Sequence, residues 1–417
     1  MSEQDAIAVI GAGVIGATVA YALAREGHRV MLLDRAQPGL AGASFGNAGH
    51  IATELVQPLP SPGLLFGFWR EHALFGGALD LSARQAVHML PWMRRFAAAA
   101  FRREENSCQL APLVRPAAAA WASWLAEVGR PDLLRRHGHY EIGLGRKGLA
   151  VIAMQARTMA QLGVKTRPVP AANILPLLQA ARAACGAGLW FEESAHVLDP
   201  REIVRVFASA AAARGTMVQR LDVRALRPHG HDIEVLGDDA AFTVRAAVVC
   251  AGMGSAPLLA PFGLLAPLQA VRGYHIEIPG HEPFLGAPVV YSREQVIVTP
   301  MAGRLRASSY MEFAATNAPG DPRKPARLRQ KMRALGYACQ AEGPSWVGAR
   351  PVLPDYLPGI GRASSQAKLF YAMGHQHIGL TIAPITAELV ADMVAERSPR
   401  LPIAAFDLRR FGAASHS

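Results

Sequence analysis

The N-terminal residues alternate between apolar runs and a glycine-rich turn in an informative order. Residues 6–10 are all apolar and lead into a Gly-x-Gly-x-x-Gly turn that begins at Gly11. Small and apolar residues then continue at helical spacing to about residue 26, and residues 30–33 are apolar again before Asp34. This order predicts a strand, a tight turn, a helix and a second strand that ends in an acid.

Each part of this unit has a physical role in binding a dinucleotide. Gly11 permits the tight turn, Gly13 lets the backbone approach a pyrophosphate, and Gly16 lets the helix pack closely on the sheet. The N-terminus of the helix offers free N–H groups to phosphates. Asp34, 23 positions after Gly11, is placed to accept hydrogen bonds from ribose hydroxyls and disfavours the 2′-phosphate of NADP. The motif alone does not choose between NAD and FAD.

Later segments predict further elements of an α/β protein. The interval 246–250 is a second buried strand that runs into another glycine turn, and residues 270–312 alternate as antiparallel strands do. Residues 315–328 are polar and rich in proline, which predicts an exposed loop. Helices are predicted over 14–26, 112–128, 146–162 and 200–214, and residues 369–397 predict a strand, a glycine turn and a helix from about Ala383.

Residues 63–101 are aromatic and apolar with basic interruptions. This pattern indicates core helices of a substrate domain; the alternative is a surface that meets a membrane or a partner.

Composition and charge narrow the function classes. At 417 residues the chain is long enough for two domains or one interleaved body, and 51% hydrophobic residues predict a substantial core. The net charge is +11, but the basic residues are scattered and form no nucleic-acid module. The excess fits a solvated surface, with anionic substrates or an anionic membrane face as the alternative.

The four cysteines show neither paired nor metal-ligand spacing, which fits a reducing compartment, and no metal site is predicted. We also find no signal-peptide pattern and no apolar run of 18 residues. A cytoplasmic protein is therefore expected, with peripheral attachment to the inner face of the cell membrane as the alternative.

Four ordered blocks resemble the FAD-dependent D-amino-acid oxidase family, which includes glycine oxidase, sarcosine oxidase and the D-amino-acid dehydrogenases. They are residues 11–34, 43–49, 248–255 and 348–384. The resemblance implies an α/β fold in which a Rossmann-type FAD-binding domain is interleaved with an α+β substrate domain built on an antiparallel sheet. The FAD-binding domain is expected at 1–60, 192–262 and 346–417, and the substrate-binding domain at 61–191 and 263–345.

The resemblance also implies the cofactor site. FAD is expected to bind without a covalent bond, because the chain has no cysteine after Cys339 to match the flavin-linked cysteine of monomeric sarcosine oxidases. A helix that begins after the C-terminal glycine turn would stabilise negative charge on the reduced flavin. The expected cofactor-binding residues are Gly11, Gly13, Val14, Ile15, Gly16, Asp34, Arg35, Ser44, Asn47, Ala48, Gly49, Val223, Ala251, Gly252, Gly374, His375, Gly379, Leu380 and Thr381.

The run 374–381 resembles bacterial D-amino-acid dehydrogenases, in particular those that act on proline-like secondary amines. This implies hydride transfer from Cα of a D-amino acid, or of a cyclic amino acid such as cis-4-hydroxy-D-proline, to flavin N5, which gives an imine. Arg350 is expected to bind the substrate carboxylate. His377 stands where glycine oxidases carry an arginine, so the resemblance does not extend to a two-arginine clamp. The other expected active-site residues are Tyr274, Tyr310 and His50.

Each assignment has an alternative. Arg350 fits a structural ion pair, and the tyrosines and histidines fit ordinary core positions. At the level of the whole protein the rivals are an NAD-dependent dehydrogenase, an FAD-dependent oxidase of glycine- or sarcosine-like amines, an FAD enzyme acting on an amine without a carboxylate, and a flavin-holding subunit of a larger complex. The electron acceptor is left open among a quinone, a partner subunit and dioxygen, as is assembly into homo- or hetero-oligomers.

Overall fold

The computed structural model describes residues 5–71, 79–81, 83–280, 286–315 and 318–413. Its strands are β1 (Ile7–Ile10), β2 (Val30–Asp34), β3 (His50–Ile51), β4 (Leu79–Leu81), β5 (Leu134–Arg135), β6 (His139–Leu144), β7 (Thr166–Pro168), β8 (Gly186–Phe191), β9 (Ala195–Val197), β10 (Met217–Arg220), β11 (Val223–His229), β12 (Asp232–Gly237), β13 (Ala241–Val244), β14 (Ala246–Val249), β15 (Gln269–Pro279), β16 (Val289–Tyr291), β17 (Val296–Met301), β18 (Arg304–Phe313), β19 (Ser345–Val352), β20 (Gly359–Arg362) and β21 (Leu369–Met373).

The helices in the same residues are α1 (Val14–Arg25), α2 (Gly42–Phe45), α3 (Pro62–Glu71), α4 (Ala83–His88), α5 (Leu90–Ala100), α6 (Arg103–Val114), α7 (Ala117–Glu127), α8 (Gly145–Gln161), α9 (Ala171–Ala180), α10 (Pro200–Ala212), α11 (Ser255–Leu259), α12 (Arg323–Ala334) and α13 (Gly379–Val394). None of these helices has the length and apolar character that crossing a bilayer requires.

A six-stranded sheet in the order β10-β2-β1-β14-β21-β20 carries the glycine turn. Its strands pair in parallel except for β20, which runs antiparallel to β21. The central strand β1 is completely buried, because α1, α10 and α13 cover one face and the small sheet β11-β12-β13 packs on the other. This arrangement confirms the expected Rossmann-type unit.

A nine-stranded sheet in the order β19-β15-β18-β17-β16-β6-β8-β7, with β4 beside β18, forms the second layer. Most of its pairs are antiparallel, as the alternation over 270–312 predicted. One row of paired residues crosses its middle, from Ser308 through Ile297 and Val290 to Glu141. Side chains in one row of a sheet point to the same face, so these residues, which are distant in the sequence, project from one face of the sheet.

The expected division into two domains stays a prediction, although the sheets follow it closely. The strands of the six-stranded sheet fall within the three segments assigned to the FAD-binding domain. One strand of the C-terminal FAD segment does not join this sheet: β19 begins at the expected boundary near residue 346 and pairs with β15 in the nine-stranded sheet. The C-terminal FAD segment therefore contributes a strand to the opposite layer, and that strand contains Arg350.

Two local predictions were wrong. Residues 323–328 of the expected loop 315–328 belong to helix α12, because Leu328 and Met332, four positions apart, are buried in the core beside the nine-stranded sheet. The helix expected from about Ala383 begins earlier, at Gly379.

In the region 63–101, Trp92 stacks on Phe96 and lies in a buried cluster, which favours the core interpretation, whereas Phe66 is exposed. Residues 72–78 and 82 of this region lie outside the described part of the chain.

Candidate active site

A cleft of about 1270 Å³ lies where the carboxyl ends of the parallel strands face the nine-stranded sheet. It exceeds the range of roughly 300–1,000 Å³ typical of small-ligand pockets, so it has room for a large cofactor together with a substrate. Ligands of open α/β sheets bind at these strand ends.

The first glycine turn closes one end of the cleft. Gly11 has φ +103°, a conformation that L side chains rarely adopt, and an added Cβ would lie 2.5 Å from the carbonyl oxygen of Cys250. The Val14 N–H, at the start of α1, donates to Ser44 Oγ at 3.0 Å, and a Cβ on Gly13 would lie 3.2 Å from that oxygen. Backbone N–H groups and a hydroxyl thus meet at a helix N-terminus, an arrangement that suits a phosphate.

Gly16 does not contact the cleft within the described residues. A side chain there would collide with the carbonyl of Gly11 and would approach the side chain of Cys250 to 3.4 Å. It therefore acts through packing of α1 against the turn, which is the role that the motif gave it, and not as a direct cofactor contact.

Asp34 lines the cleft with Arg35 and Val223. Its carboxylate accepts the Ala12 N–H at 2.6 Å and the Ala36 N–H at 2.9 Å, so it braces the glycine turn. Each carboxylate oxygen has more than one acceptor direction, and the expected contact with ribose hydroxyls stays a prediction.

The segment 44–54 runs along the cleft from the first turn. Asn47 and Ala48 line it, and Asn47 Oδ1 accepts the Gly49 N–H at 2.8 Å. Gly49 itself is absent from the described lining residues: its φ is +75° and an added Cβ would lie 2.8 Å from the Met301 methyl group. Gly49 is therefore a turn position that packs closely against Met301, and its direct contact with the cofactor stays a prediction.

The C-terminal glycine turn and the first turn of α13 also line the cleft, from the end of β21 in the same sheet. Gly374 has φ +70°, and Gly379, Leu380 and Thr381 follow it along the cleft, as do Ala251 and Gly252 from the loop after β14. Thr381 Oγ1 accepts the Ala52 N–H at 3.2 Å, which ties α13 to the segment 44–54.

His375 belongs to the same turn, but one of its ring nitrogens contacts a residue inside the protein. Its Nε2 lies 3.2 Å from Thr386 Oγ1, and burial lowers the pKa of His375 to about 3. The imidazole is therefore neutral, and its ring nitrogen Nε2 turns toward α13.

Arg350 lines the cleft from β19. One guanidinium nitrogen, Nη1, donates to the carbonyl oxygen of Tyr310 at 3.2 Å, and the group lies across Gly273, where any side chain would meet it. Within the described ranges no carboxylate is within ion-pair distance of Arg350. The interpretation of Arg350 as one half of a structural ion pair is therefore not supported.

His377 and Tyr310 lie near this guanidinium. His377 is exposed and faces the cleft in the C-terminal turn. Desolvation by the surrounding protein, together with the positive charge of Arg350, lowers the pKa of His377 to about 4. Tyr310 lines the cleft at φ +68°, with its ring edge-on to that of Tyr274.

The structure corrects the expectation for Tyr274. Its hydroxyl donates to Glu312 Oε2 at 2.7 Å and accepts the Asp321 N–H at 2.9 Å, and Tyr274 is not among the described cleft residues. Glu312 also bonds Arg272 and Lys324, so Tyr274 belongs to a buried charged network behind the sheet. The alternative, an ordinary core tyrosine, describes it better.

Sequence reasoning missed a polar cluster beside His50. Glu54 and His139 line the cleft with it, and their donor atoms and that of His50 lie within 4.8 Å of one another. These residue types can also hold a metal ion, so the three side chains form a candidate metal-binding group that the sequence did not predict. His50 and Glu54 are only four positions apart, so the sequence could have indicated that they lie together. His139 is a lone histidine in a strand, and no sequence pattern links it to them.

Comparison with known proteins places the chain in a family. The model of the DAO family, described as FAD dependent oxidoreductase, matches residues 6–393. The chain belongs to this family. FAD is therefore its cofactor, and the rival of an NAD-dependent dehydrogenase is set aside. The cleft fits FAD, because a helix N-terminus and a glycine turn line it at both α1 and α13.

Two curated members of the family are similar to nearly the whole chain. It is 29% identical over 441 residues to a D-amino-acid oxidase of Bradyrhizobium diazoefficiens, covering 99% of this chain and 100% of that protein. It is 28% identical over 425 residues to a D-amino acid dehydrogenase of Cereibacter sphaeroides, covering 98% and 95%.

Solved structures confirm the fold. Glycine oxidase from Geobacillus kaustophilus has a TM-score of 0.75 at 21% identity, covering 98% of this chain and 99% of that one. L-proline dehydrogenase from P. horikoshii has a TM-score of 0.73 at 17% identity, covering 99% and 98%.

Proposed function

We propose that this FAD-dependent oxidoreductase oxidises a D-amino acid, or a cyclic secondary amino acid such as cis-4-hydroxy-D-proline, to the corresponding imine. FAD, when bound, supplies the redox chemistry by accepting a hydride at N5 from the substrate carbon that carries the nitrogen. The names of the curated relatives support an amino-acid substrate. The cyclic substrate rests on the resemblance of the run 374–381.

The observation that carries the proposal is the guanidinium of Arg350. It lines the cleft with one hydrogen bond to a carbonyl and with no carboxylate partner among the described residues. A planar, permanently charged group left without a counter-ion in a cleft suits a ligand carboxylate, which it can bind through two parallel hydrogen bonds. A substrate amine without a carboxylate would leave this charge unpaired.

The other residues orient the substrate. Arg350 fixes the carboxylate, so the bond to the α-hydrogen is held at one angle to the flavin, and orientation of this kind is a large part of catalysis. Tyr310 holds the guanidinium through its carbonyl. His50 and His377 are neutral at pH 7, since the pKa of His50 is lowered to about 3 by burial and that of His377 to about 4. An amine that enters neutral needs no base from either.

Arg350→Ala tests the proposal. Loss of a charge-assisted, two-pronged contact of roughly 2–3 kcal/mol should raise KM by about 30- to 150-fold, while the protein stays yellow with bound FAD. The measurement is anaerobic flavin bleaching across D-, L- and cyclic amino acids. Arg103→Ala is the control, because Arg103 also lines the cleft but its Nε donates to the Pro58 carbonyl. An unchanged KM for Arg350→Ala would remove this residue from the site.

Further properties complete the proposal. The acceptor of the electrons is a quinone, a partner subunit or dioxygen, and oxygen consumption during turnover separates the last from the others. Oxidation of glycine- or sarcosine-like amines is the alternative activity, which the same bleaching panel detects. A flavin-holding subunit would stay yellow with every amino acid. Location in the cytoplasm, with or without attachment to the inner membrane face, is tested by fractionation.

A further inference from the structure

Three buried polar side chains converge in the wall of the cleft without bonding one another. His50 begins β3, Glu54 follows four residues later, and His139 begins β6. Glu54 Oε1 lies 4.0 Å from His50 Nε2 and 3.8 Å from His139 Nε2, and the three side chains are at most 8% exposed. These distances exceed the roughly 2.7–3.2 Å of a hydrogen bond, so contacts among the three residues do not explain why they converge.

Two buried atoms of this cluster lack hydrogen-bond partners. Within the part of the chain that the structure describes, neither His50 Nε2 nor Glu54 Oε2 makes a hydrogen bond. Buried polar side-chain atoms without a partner are rare in proteins, and an ion bound by them is one explanation. Donor atoms from His50, Glu54 and His139 all lie within 4.8 Å of one another, so a single ion between them can contact all three residues.

The hydrogen bonds around His139 give its ring the tautomer that a metal ligand needs. Ser194 Oγ donates to the carbonyl oxygen of Phe191 at 3.3 Å, so the Ser194 oxygen accepts from the Nδ1–H of His139 at 2.8 Å. The other nitrogen, Nε2, then presents a lone pair toward Glu54. Metal-bound histidines almost always donate their second N–H in this way, which fixes the orientation of the ring. The ring of His139 also stacks on Phe191 at 4.3 Å.

The spacing and the residue types favour a transition metal. Zinc binds imidazole nitrogen and carboxylate oxygen at about 2.0–2.2 Å, so two of its ligand atoms are about 3.3–3.5 Å apart at the tetrahedral angle. The separations of 3.8 and 4.0 Å in the cluster are closer to this value than to a hydrogen bond, and inward shifts of a few tenths of an ångström would complete the site. Two imidazoles with one carboxylate suit zinc and other first-row transition metals, whereas magnesium and calcium prefer oxygen ligands.

We infer that His50, Glu54 and His139 form a binding site for a divalent transition metal ion, for which Zn²⁺ is the probe. Three protein ligands of this kind leave a fourth position for water, and that position faces the cleft, because all three residues line it. His50 and Glu54 lie in or next to β3, whereas His139 belongs to the nine-stranded sheet. The ion therefore joins the segment 44–54 to the second layer of the fold. The inference does not depend on the proposed oxidation of an amino acid.

The test measures zinc binding by the FAD-loaded protein, prepared without a histidine tag and stripped of metal with EDTA. After Zn²⁺ is added and the excess is removed, elemental analysis should find about one zinc ion per chain. An ion that binds only the folded state raises Tm, so we expect a rise of about 3 to 5 °C when free Zn²⁺ exceeds its Kd by about 100- to 1,000-fold. Mg²⁺ at the same concentration should give no rise.

Two substitutions each remove one ligand, and a third leaves the ligands in place. Glu54→Gln and His139→Phe should each abolish both the bound zinc and the rise in Tm. Glutamine keeps the size of glutamate, phenylalanine keeps the ring stack on Phe191, and FAD content checks that each variant is folded. Ser194→Ala should weaken zinc binding about 10- to 100-fold, because it removes the acceptor of the His139 Nδ1–H.

His137→Gln is the matched control. His137 is an exposed histidine two residues before His139, and it is not part of the cluster. Its replacement should leave the zinc content and the rise in Tm unchanged. The same variant detects zinc that is bound adventitiously by this surface imidazole.

A wild-type protein that binds no zinc after this treatment would overturn the inference. Equal zinc binding by the wild type, Glu54→Gln and His139→Phe would overturn it as well, because the ion would then lie elsewhere. Zinc that is lost in His137→Gln but kept in Glu54→Gln would place the ion at the surface and have the same consequence. None of these results bears on the proposed function, which fails instead if no amino acid bleaches the flavin.

Discussion

Gly273→Ala should displace the guanidinium of Arg350 without unfolding the protein. A methyl carbon on Gly273 would lie 2.5 Å from Cζ and 2.8 Å from Nη1 of Arg350. Carbon atoms rest about 3.5 Å apart or more, so the guanidinium must retreat by about 1 Å. The backbone tolerates alanine, because Gly273 lies in β15 without a positive φ, and the clashing atoms are the flexible end of a side chain.

A shift of about 1 Å in a group that positions the substrate can reduce the rate about 100-fold. We therefore expect kcat/KM for the amino acid to fall between 10- and 100-fold, mostly through KM. Tm should stay within a few degrees of wild type and FAD content should not change, since replacing glycine in a strand costs nothing in backbone entropy. The assays are steady-state kinetics, thermal unfolding and the flavin-to-protein ratio.

Gly254→Ala controls for a methyl group added elsewhere on the cleft. Gly254 also lines it and has no positive φ, and a Cβ there would lie 3.7 Å from the Ala251 methyl group, an ordinary contact. Substrate kinetics in this variant should match the wild type. If Gly273→Ala kept its KM, the guanidinium would not hold the carboxylate from the position described above.

Three further changes test other parts of the argument. Gly16→Ala should abolish FAD binding or soluble expression, because its methyl group would strike the Gly11 carbonyl, and the flavin-to-protein ratio measures this. Tyr274→Phe should lower stability by roughly 1–3 kcal/mol in denaturant unfolding with KM unchanged, because its buried hydroxyl bonds Glu312. Burial raises the pKa of Glu54 from 4.5 to about 8, so between these pH values the folded state holds a proton that the unfolded state releases. The free energy of unfolding therefore falls as pH rises through this window. Glu54→Gln should remove the corresponding fall in Tm of the metal-free protein, measured between pH 5 and pH 8.5.

The local units of the fold could be predicted from the sequence, because each is encoded in neighbouring residues. The strand, turn and helix from residue 7 to residue 25 follow from apolar runs and three glycines. The α12 helix was missed for the opposite reason. Its stripe of buried residues is short and lies among arginines, lysines and prolines, so tertiary burial decided its structure against the local composition.

The candidate site could be predicted only in part, because it depends on pairing between strands that are distant in the sequence. Arg350 was found because it lies in a motif, but its position opposite Tyr310 depends on β15 lying between their strands. Tyr274 and Tyr310 looked equivalent in sequence, yet a register shift between Arg272 and Tyr274 accompanies their different environments. One tyrosine reaches the cleft and the other a buried network, and no local pattern distinguishes them.

The two sheets divide the work of the site between them. The six-stranded sheet offers backbone N–H groups and helix N-termini, which recognise phosphates and a flavin that many proteins share. The nine-stranded sheet offers side chains, among them Arg350, which we propose binds the substrate carboxylate. Glu54 joins these layers, since it follows the segment that lines the cofactor region yet meets His139, 85 positions later. We therefore expect a change of substrate to require substitutions in the nine-stranded sheet, whereas the glycine turns that line the FAD end of the cleft can stay as they are.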